Sequence, residues 1–137
     1  MLDIVIATDK YKGTLTAVEA CDTIHCALEN RFPDAHFRIC PMADGGEGTA
    51  SLIAEILNYK KTKISCNNSL FEEIDAEYFV ASDGSKAIID SSQVIGLLKL
   101  KSSPDPWHAS SYPLGMVIRS ILNEVQSVTV CIGGTST

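Results

Sequence analysis

No run of apolar residues in this sequence is long enough to cross a membrane. The apolar opening, Met1-Leu2-Asp3-Ile4-Val5-Ile6-Ala7, has no basic stretch before it and meets Asp9 and Lys10 at once, so it reads as a strand and not as a signal peptide. Basic residues are also in deficit: 11 Lys and Arg stand against 17 Asp and Glu, a net charge of -6. That balance excludes a phosphate backbone as the expected partner, although backbone amides and one or two lysines can still hold a small anion locally. Paired cysteines are missing too. Cys21, Cys26, Cys40, Cys66 and Cys131 are odd in number and none is spaced C-x-x-C, so the expectation is reduced core cysteines in a cytoplasmic protein, without a zinc site. Neither G-x-x-x-x-G-K-[ST] nor G-x-G-x-x-G occurs, which removes a Walker-type loop and a dinucleotide fingerprint.

What is present is the pattern of an α/β protein. Residues 2–7 form a β-branched run suited to a central parallel strand. A helix is predicted over 14–32, with Thr16 and Glu19 as a capping box and Val18, Cys21, Ile24, Cys26 and Leu28 as its buried face. A strand over 35–40 follows, then a loop and a second helix over 47–58 with Leu52, Ile53, Ile56 and Leu57 inward. The texture then changes. Alternating residues over 61–66, the turn cluster Asn67-Asn68-Ser69, a strand over 73–81 and the tight turn Asp83-Gly84 before 86–90 predict a β-meander attached to the βαβ start. Beyond it come a helical turn near 94–98, a helix over 112–125 with Val117, Ile118, Ile121 and Leu122 as core, and a buried strand over 128–132. The chain then closes on Gly133-Gly134-Thr135-Ser136-Thr137, where a helix would be expected to open.

Three segments hold residues suited to chemistry. Asp9-Lys10-Tyr11-Lys12-Gly13-Thr14 lies just past the first strand, where parallel sheets place ligands. There a carboxylate can accept a hydroxyl proton or hold Mg²⁺, and a lysine can neutralise a phosphoryl group; the plain alternative is a solvated loop. Ala43-Asp44-Gly45-Gly46-Glu47-Gly48-Thr49 lets backbone approach a ligand at a helix start. Asp44 is a base or metal carboxylate on this reading; Glu47 is another, or a partner of the helix dipole; the plain alternative is a capped turn. Gly133, Gly134, Thr135 and Ser136 offer amides and hydroxyls as an anion cradle, or form a loose end. His25, His36 and His108 have no partner at a nucleophile's spacing and are read as structural.

Taken together, these segments resemble the bacterial-type glycerate kinase family. Residues 7–17 are similar to its opening motif, and Pro41 to Thr49 to its most specific signature. Asp90 to Leu97 and Ser110-Ser111-Tyr112-Pro113-Leu114-Gly115 resemble weaker motifs, the latter with Pro113 and Leu114 where the family has glycine and threonine. Ile132 to Thr137 resembles the start of a longer glycine-rich loop. The resemblance implies ATP-dependent phosphorylation of D-glycerate with Mg²⁺. It assigns Asp9, Lys12 and Asp44 to catalysis, with Asp44 also a metal ligand. Gly45, Gly46, Gly133, Gly134, Thr135 and Ser136 are assigned to the nucleotide. It further implies two α/β domains, one inserted in the other, so that residues 1–85 would begin the first and 86–137 the second. On that expectation the chain is the N-terminal portion of a longer enzyme, inactive by itself and prone to self-association through surface left uncovered. The alternative is a non-catalytic α/β binding or assembly module.

Overall fold

A computed structural model describes residues 2–137. They divide into two compact units, one ending at Asp44 and the other Gly45–Thr137.

In the first unit, β1 (Asp3–Ile6) pairs in parallel with β2 (His36–Ile39), in register Asp3 with His36 through Ile6 with Ile39. Between them runs α1 (Ala17–Glu29). The helix begins where the capping box predicts: Thr16 Oγ1 accepts the Glu19 amide and the Glu19 carboxylate accepts the Thr16 amide. Those hydrogen bonds hold the Glu19 carboxyl below its ordinary range. The expected start at residue 14 is three residues early, because Tyr11–Leu15 closes a tight turn through Gly13 at φ +74°. The buried face also differs. Ala17, Ala20 and Cys21 are buried, whereas Ile24 and Cys26 face solvent. Cys40 is likewise exposed, so two of the five expected core cysteines are surface thiols; all five are free. Val5 is exposed although β1 reads as a central strand, since its sheet has two strands among the described residues.

The second unit is a four-stranded sheet in the order β3 (Lys60–Asn67), β4 (Glu73–Val80), β5 (Lys86–Asp90), β6 (Ser127–Cys131). The first three strands form the predicted antiparallel meander and β6 joins β5 in parallel. Asp83 makes the β4–β5 turn by accepting the Ser85 amide and hydroxyl, with Gly84 at φ +70°. Strand alternation then sorts the residues of β5. Ala87 and Ile89 join a core with Ala76, Tyr78, Val94, Val117 and Ile121, under α3 (Ser92–Ile95) and α4 (Tyr112–Leu122). Ile88 packs with Cys131, Ala50 and Ile53 beneath α2 (Thr49–Leu57). Full burial of residues such as Ile89 and Ile121 contributes about 1.5–3 kcal/mol each.

The inward face of α2 is rotated from the predicted one. Ala50 and Ala54 are buried and Ile53 is half-buried, while Ile56 and Leu57 are exposed. Small residues let the helix sit close on the sheet, and periodicity cannot tell which of two adjacent apolar stripes does so. In α4, Val117 and Ile121 are buried as expected, but Leu122 is exposed and Val125, just past the helix, takes the core position. Ile132, read as part of the last strand, lies beyond β6 and is exposed. Among the described residues no helix is long and apolar enough to cross a membrane.

Candidate active-site loops

Two groups of predicted site residues are assembled, one in each unit. In the first unit, the loop after β1 and the loop after β2 bring Asp9 and Asp44 to one ammonium. Lys10 Nζ lies 3.2 Å from Asp44 Oδ1 and 3.5 Å from Asp9 Oδ1. Asp9 Oδ1 also accepts the Lys10 amide at 2.7 Å. Burial of the Lys10 side chain works against its charge, yet Asp44 and Asp9 outweigh it and hold the ammonium above its ordinary range. Lys12, the lysine singled out from the sequence, sits exposed in the tight turn and makes no ion pair among the described residues. The residue between the two carboxylates is its neighbour. Charge alternation in Asp-Lys-Tyr-Lys could not distinguish them, because the choice depends on where the second loop arrives.

In the second unit, both glycine-rich segments meet at the carboxyl ends of the parallel pair β5–β6. A Cβ built on Gly133 would come within 2.7 Å of Gly46 Cα, so only glycine permits the two backbones to lie this close. Gly45 and Gly48 hold φ of +94° and +88°, and Gly134 +65°. Gly48 is the N-cap of α2 and has no side chain to cap with. Asp90 does so from across the sheet. Its carboxylate accepts the Gly48 amide at 2.9 Å and the Ala50 amide at 2.8 Å, and the Cys131 thiol also bonds to it. Asp90 reaches them because it shares the Ile88 face of β5, directly under the helix start. Desolvation pushes the Asp90 carboxyl above its ordinary range despite the two amides. Desolvation and the neighbouring carboxylate push the Cys131 thiol to about 11, so it remains a protonated donor. An anion on these two amides is therefore supplied by the protein itself.

Ser91 and Ser136 fix the other loop. Ser91 Oγ accepts the Gly133 amide at 3.2 Å and lies 3.3 Å from its carbonyl. The Ser136 hydroxyl is 2.6 Å from Ser69 Oγ and donates to the Ile95 carbonyl at 2.8 Å, while Thr135 bridges to Gly96 and donates to the Thr137 carbonyl. Thr49 Oγ1 and Ser92 Oγ, beside these loops, are buried with no hydrogen-bond partner among the described residues. Thr49 closes the second of the segments that the sequence points to, whereas Asp90, Ser91 and Ser92 lie outside all three. The available signal was the apolar run Ala87-Ile88-Ile89 ending in a carboxylate and two serines, which is an unusual finish for a buried strand.

Ser69 belongs to a buried turn that braces the glycine loop. Asn68 is fully buried; its Oδ1 accepts the Leu70 and Glu72 amides and its amide group donates to Glu72 and to the Lys99 carbonyl. Hydrogen bonds from Asn68, then from the Lys101 amide and Ser102, hold the Glu72 carboxyl at about 2. Because that value lies below the ordinary 4.5, the stability it contributes is present above pH 4.5 and is lost as pH falls toward 2. Glu72→Gln is expected to flatten the acid limb of a thermal-melt series across that window. An unchanged limb would mean that the carboxylate carries none of it.

A mixed α/β protein with glycine-rich loops at the carboxyl ends of parallel strands is the class that fold and site define. The chain belongs to the glycerate kinase family, whose model matches residues 4–137. It is 34% identical to a glycerate kinase of Halalkalibacterium halodurans, covering 100% of this chain and 37% of that protein. It is 30% identical to a glycerate 2-kinase of Escherichia coli, covering 99% of this chain and 36% of that protein. Its fold matches a crystal structure assigned as glycerate kinase 2 from Salmonella typhimurium at a TM-score of 0.69 and 31% identity, over 98% of this chain and 37% of that one. The chain thus spans a little over a third of the length of these relatives.

Proposed function

We propose that this chain forms part of an ATP-dependent kinase of D-glycerate, acting in the cytoplasm and needing sequence beyond these 137 residues for turnover. One observation carries the reading: Gly46 and Gly133 pack backbone to backbone at the ends of the parallel strands, beside two buried hydroxyls without hydrogen-bond partners among the described residues, Thr49 Oγ1 and Ser92 Oγ. Orphaned buried donors are rare, and phosphoryl oxygens would satisfy them. Gly45, Gly46, Gly133 and Gly134 would let the backbone approach the nucleotide closely, the Gly133 amide being held by Ser91, with Thr135 and Ser136 shaping the loop. In the reaction a glycerate hydroxyl attacks the γ-phosphorus. The bond to the β–γ bridging oxygen breaks, ADP leaves, and the hydroxyl proton passes to a carboxylate. Asp9 and Asp44 are the carboxylates for that proton. Lys10, and Lys12 from the same loop, would balance the charge of phosphate or of the glycerate carboxylate.

Among the described residues no three His, Cys, Asp or Glu side chains cluster as a metal site. Mg²⁺ is commonly held by one or two carboxylates together with substrate phosphates, so Asp44 with Asp9 fits that donor set. When bound, it would neutralise phosphate charge. The proposed domain division places residues 1–85 in one domain and 86–137 in an inserted second.

The reading is tested by coupled ADP release with D-glycerate in a full-length glycerate kinase carrying these residues. Asp44→Asn and Lys10→Met are each expected to lower kcat/KM by about 100-fold or more, as loss of a charged group in phosphoryl transfer does. Turnover within a few-fold of the parent in both variants would remove these roles. The 137-residue chain alone is expected to release no ADP above background.

A further inference from the structure

Phe71 is a bulky aromatic residue held at φ +61°, a backbone conformation that side chains beyond glycine and asparagine rarely adopt. The residue is 53% exposed, so packing does not account for the strain. Asn68 imposes it, by accepting the Leu70 and Glu72 amides on its side chain and the Phe71 amide on its carbonyl. Backbone strain maintained in this way points to a use. Here Phe71 lines a cavity of about 330 Å³ together with residues of β3 and α4. Ile64, Cys66 and Asn67 of β3 and Tyr112 and Met116 of α4 share the lining with it. Burial raises the Cys66 thiol, which keeps it neutral and apolar.

The cavity is at the small end for ligand sites and suits one planar ring system. Aromatic and Met side chains are what a nucleobase stacks upon, and an Asn in the lining has the donor and acceptor that read a base edge. The pocket also adjoins the glycine loop. Ser69, two residues before Phe71, bonds its hydroxyl to Ser136, while its carbonyl accepts the Ser110 amide at the entry to α4. Two residues span less than about 8 Å. We infer that the Phe71–Tyr112–Met116 pocket takes the adenine ring of the nucleotide whose phosphates lie at the Gly133–Ser136 loop. This deepens the kinase reading and rests on it.

The test titrates the chain separately with adenosine, with tripolyphosphate and with ATP, followed by amide NMR. Adenosine is expected to shift Phe71, Tyr112 and Met116, tripolyphosphate to shift the loop at 133–136, and ATP to shift both. Phe71→Gly fits the positive φ without strain, so it should keep native thermal stability while weakening adenosine binding by about tenfold or more. If ATP and tripolyphosphate shift the loop while adenosine leaves the pocket unmoved, the pocket assignment is overturned and the kinase reading stands. Silence from all three ligands counts against both. Adenosine shifts that survive unchanged in Phe71→Gly, or that indole reproduces at equal concentration, overturn the base-specific assignment.

Discussion

Asp90→Ala is expected to unseat α2 and lower the thermal midpoint by roughly 10 °C. Removing the carboxylate leaves the Gly48 and Ala50 amides, and the Cys131 thiol, without their acceptor in a site where Asp90 is 3% exposed. An unsatisfied buried donor costs about 1–3 kcal/mol and loss of a helix cap about 0.5–2 kcal/mol. Together they approach about 3 kcal/mol, and for a chain of this length each kcal/mol moves the midpoint by roughly 3–4 °C. Asp90→Asn should fall between, since its one carbonyl oxygen can keep an amide while its NH₂ faces the other donor. The raised carboxyl pKa supplies the competing expectation: burying this charge is itself unfavourable, so a neutral isostere recovers some of the loss. Calorimetry on both variants decides. Equal and small shifts would show that α2 is held by its apolar face and that the carboxylate is incidental.

The second large effect is expected at Gly133. Adding one methyl in Gly133→Ala sets a Cβ 2.7 Å from Gly46 Cα and 3.4 Å from Gly46 N. The obstacle is backbone on both sides, so no side-chain rotation relieves it and one loop must move. Overpacking of this kind costs about 1–3 kcal/mol. Because Ser91 ties the Gly133 amide, the displacement should reach the β5–α3 junction as well. Amide exchange is expected to quicken at 45–49 and 133–136 together. By contrast Gly115→Ala, which meets nothing within 4 Å on the exposed side of α4, should raise helix stability slightly. If Gly133→Ala proves as neutral as Gly115→Ala, the two loops do not touch as described.

Much of this architecture was legible because it is written locally. Thr16 and Glu19 close the α1 cap with atoms three residues apart, and Asp83-Gly84 makes its own turn. The meander over 60–90 follows from period-two alternation and those turns. The glycine segments at 45–48 and 133–134 stood out by composition alone, since clustered glycine answers to backbone geometry and not to apolar packing. What the sequence could not supply was the choice among equivalent local candidates. Ile24 or Ala20 could have faced the sheet from α1; Ile56 or Ala54 could have done so from α2. Lys12 or Lys10 could have met the carboxylates.

Those choices belong to the tertiary structure, because each depends on an atom distant in sequence. Lys10 is selected by Asp44, 34 residues on, and the α2 cap by Asp90, 40 and more residues beyond the amides it accepts. Local patterning thus determined which segments are strands, helices and glycine loops, since hydrogen bonding and side-chain period act over a few residues. The tertiary structure alone decided which side chains meet within each group of loops. Long-range electrostatics and close packing act only once the strands have brought those residues together.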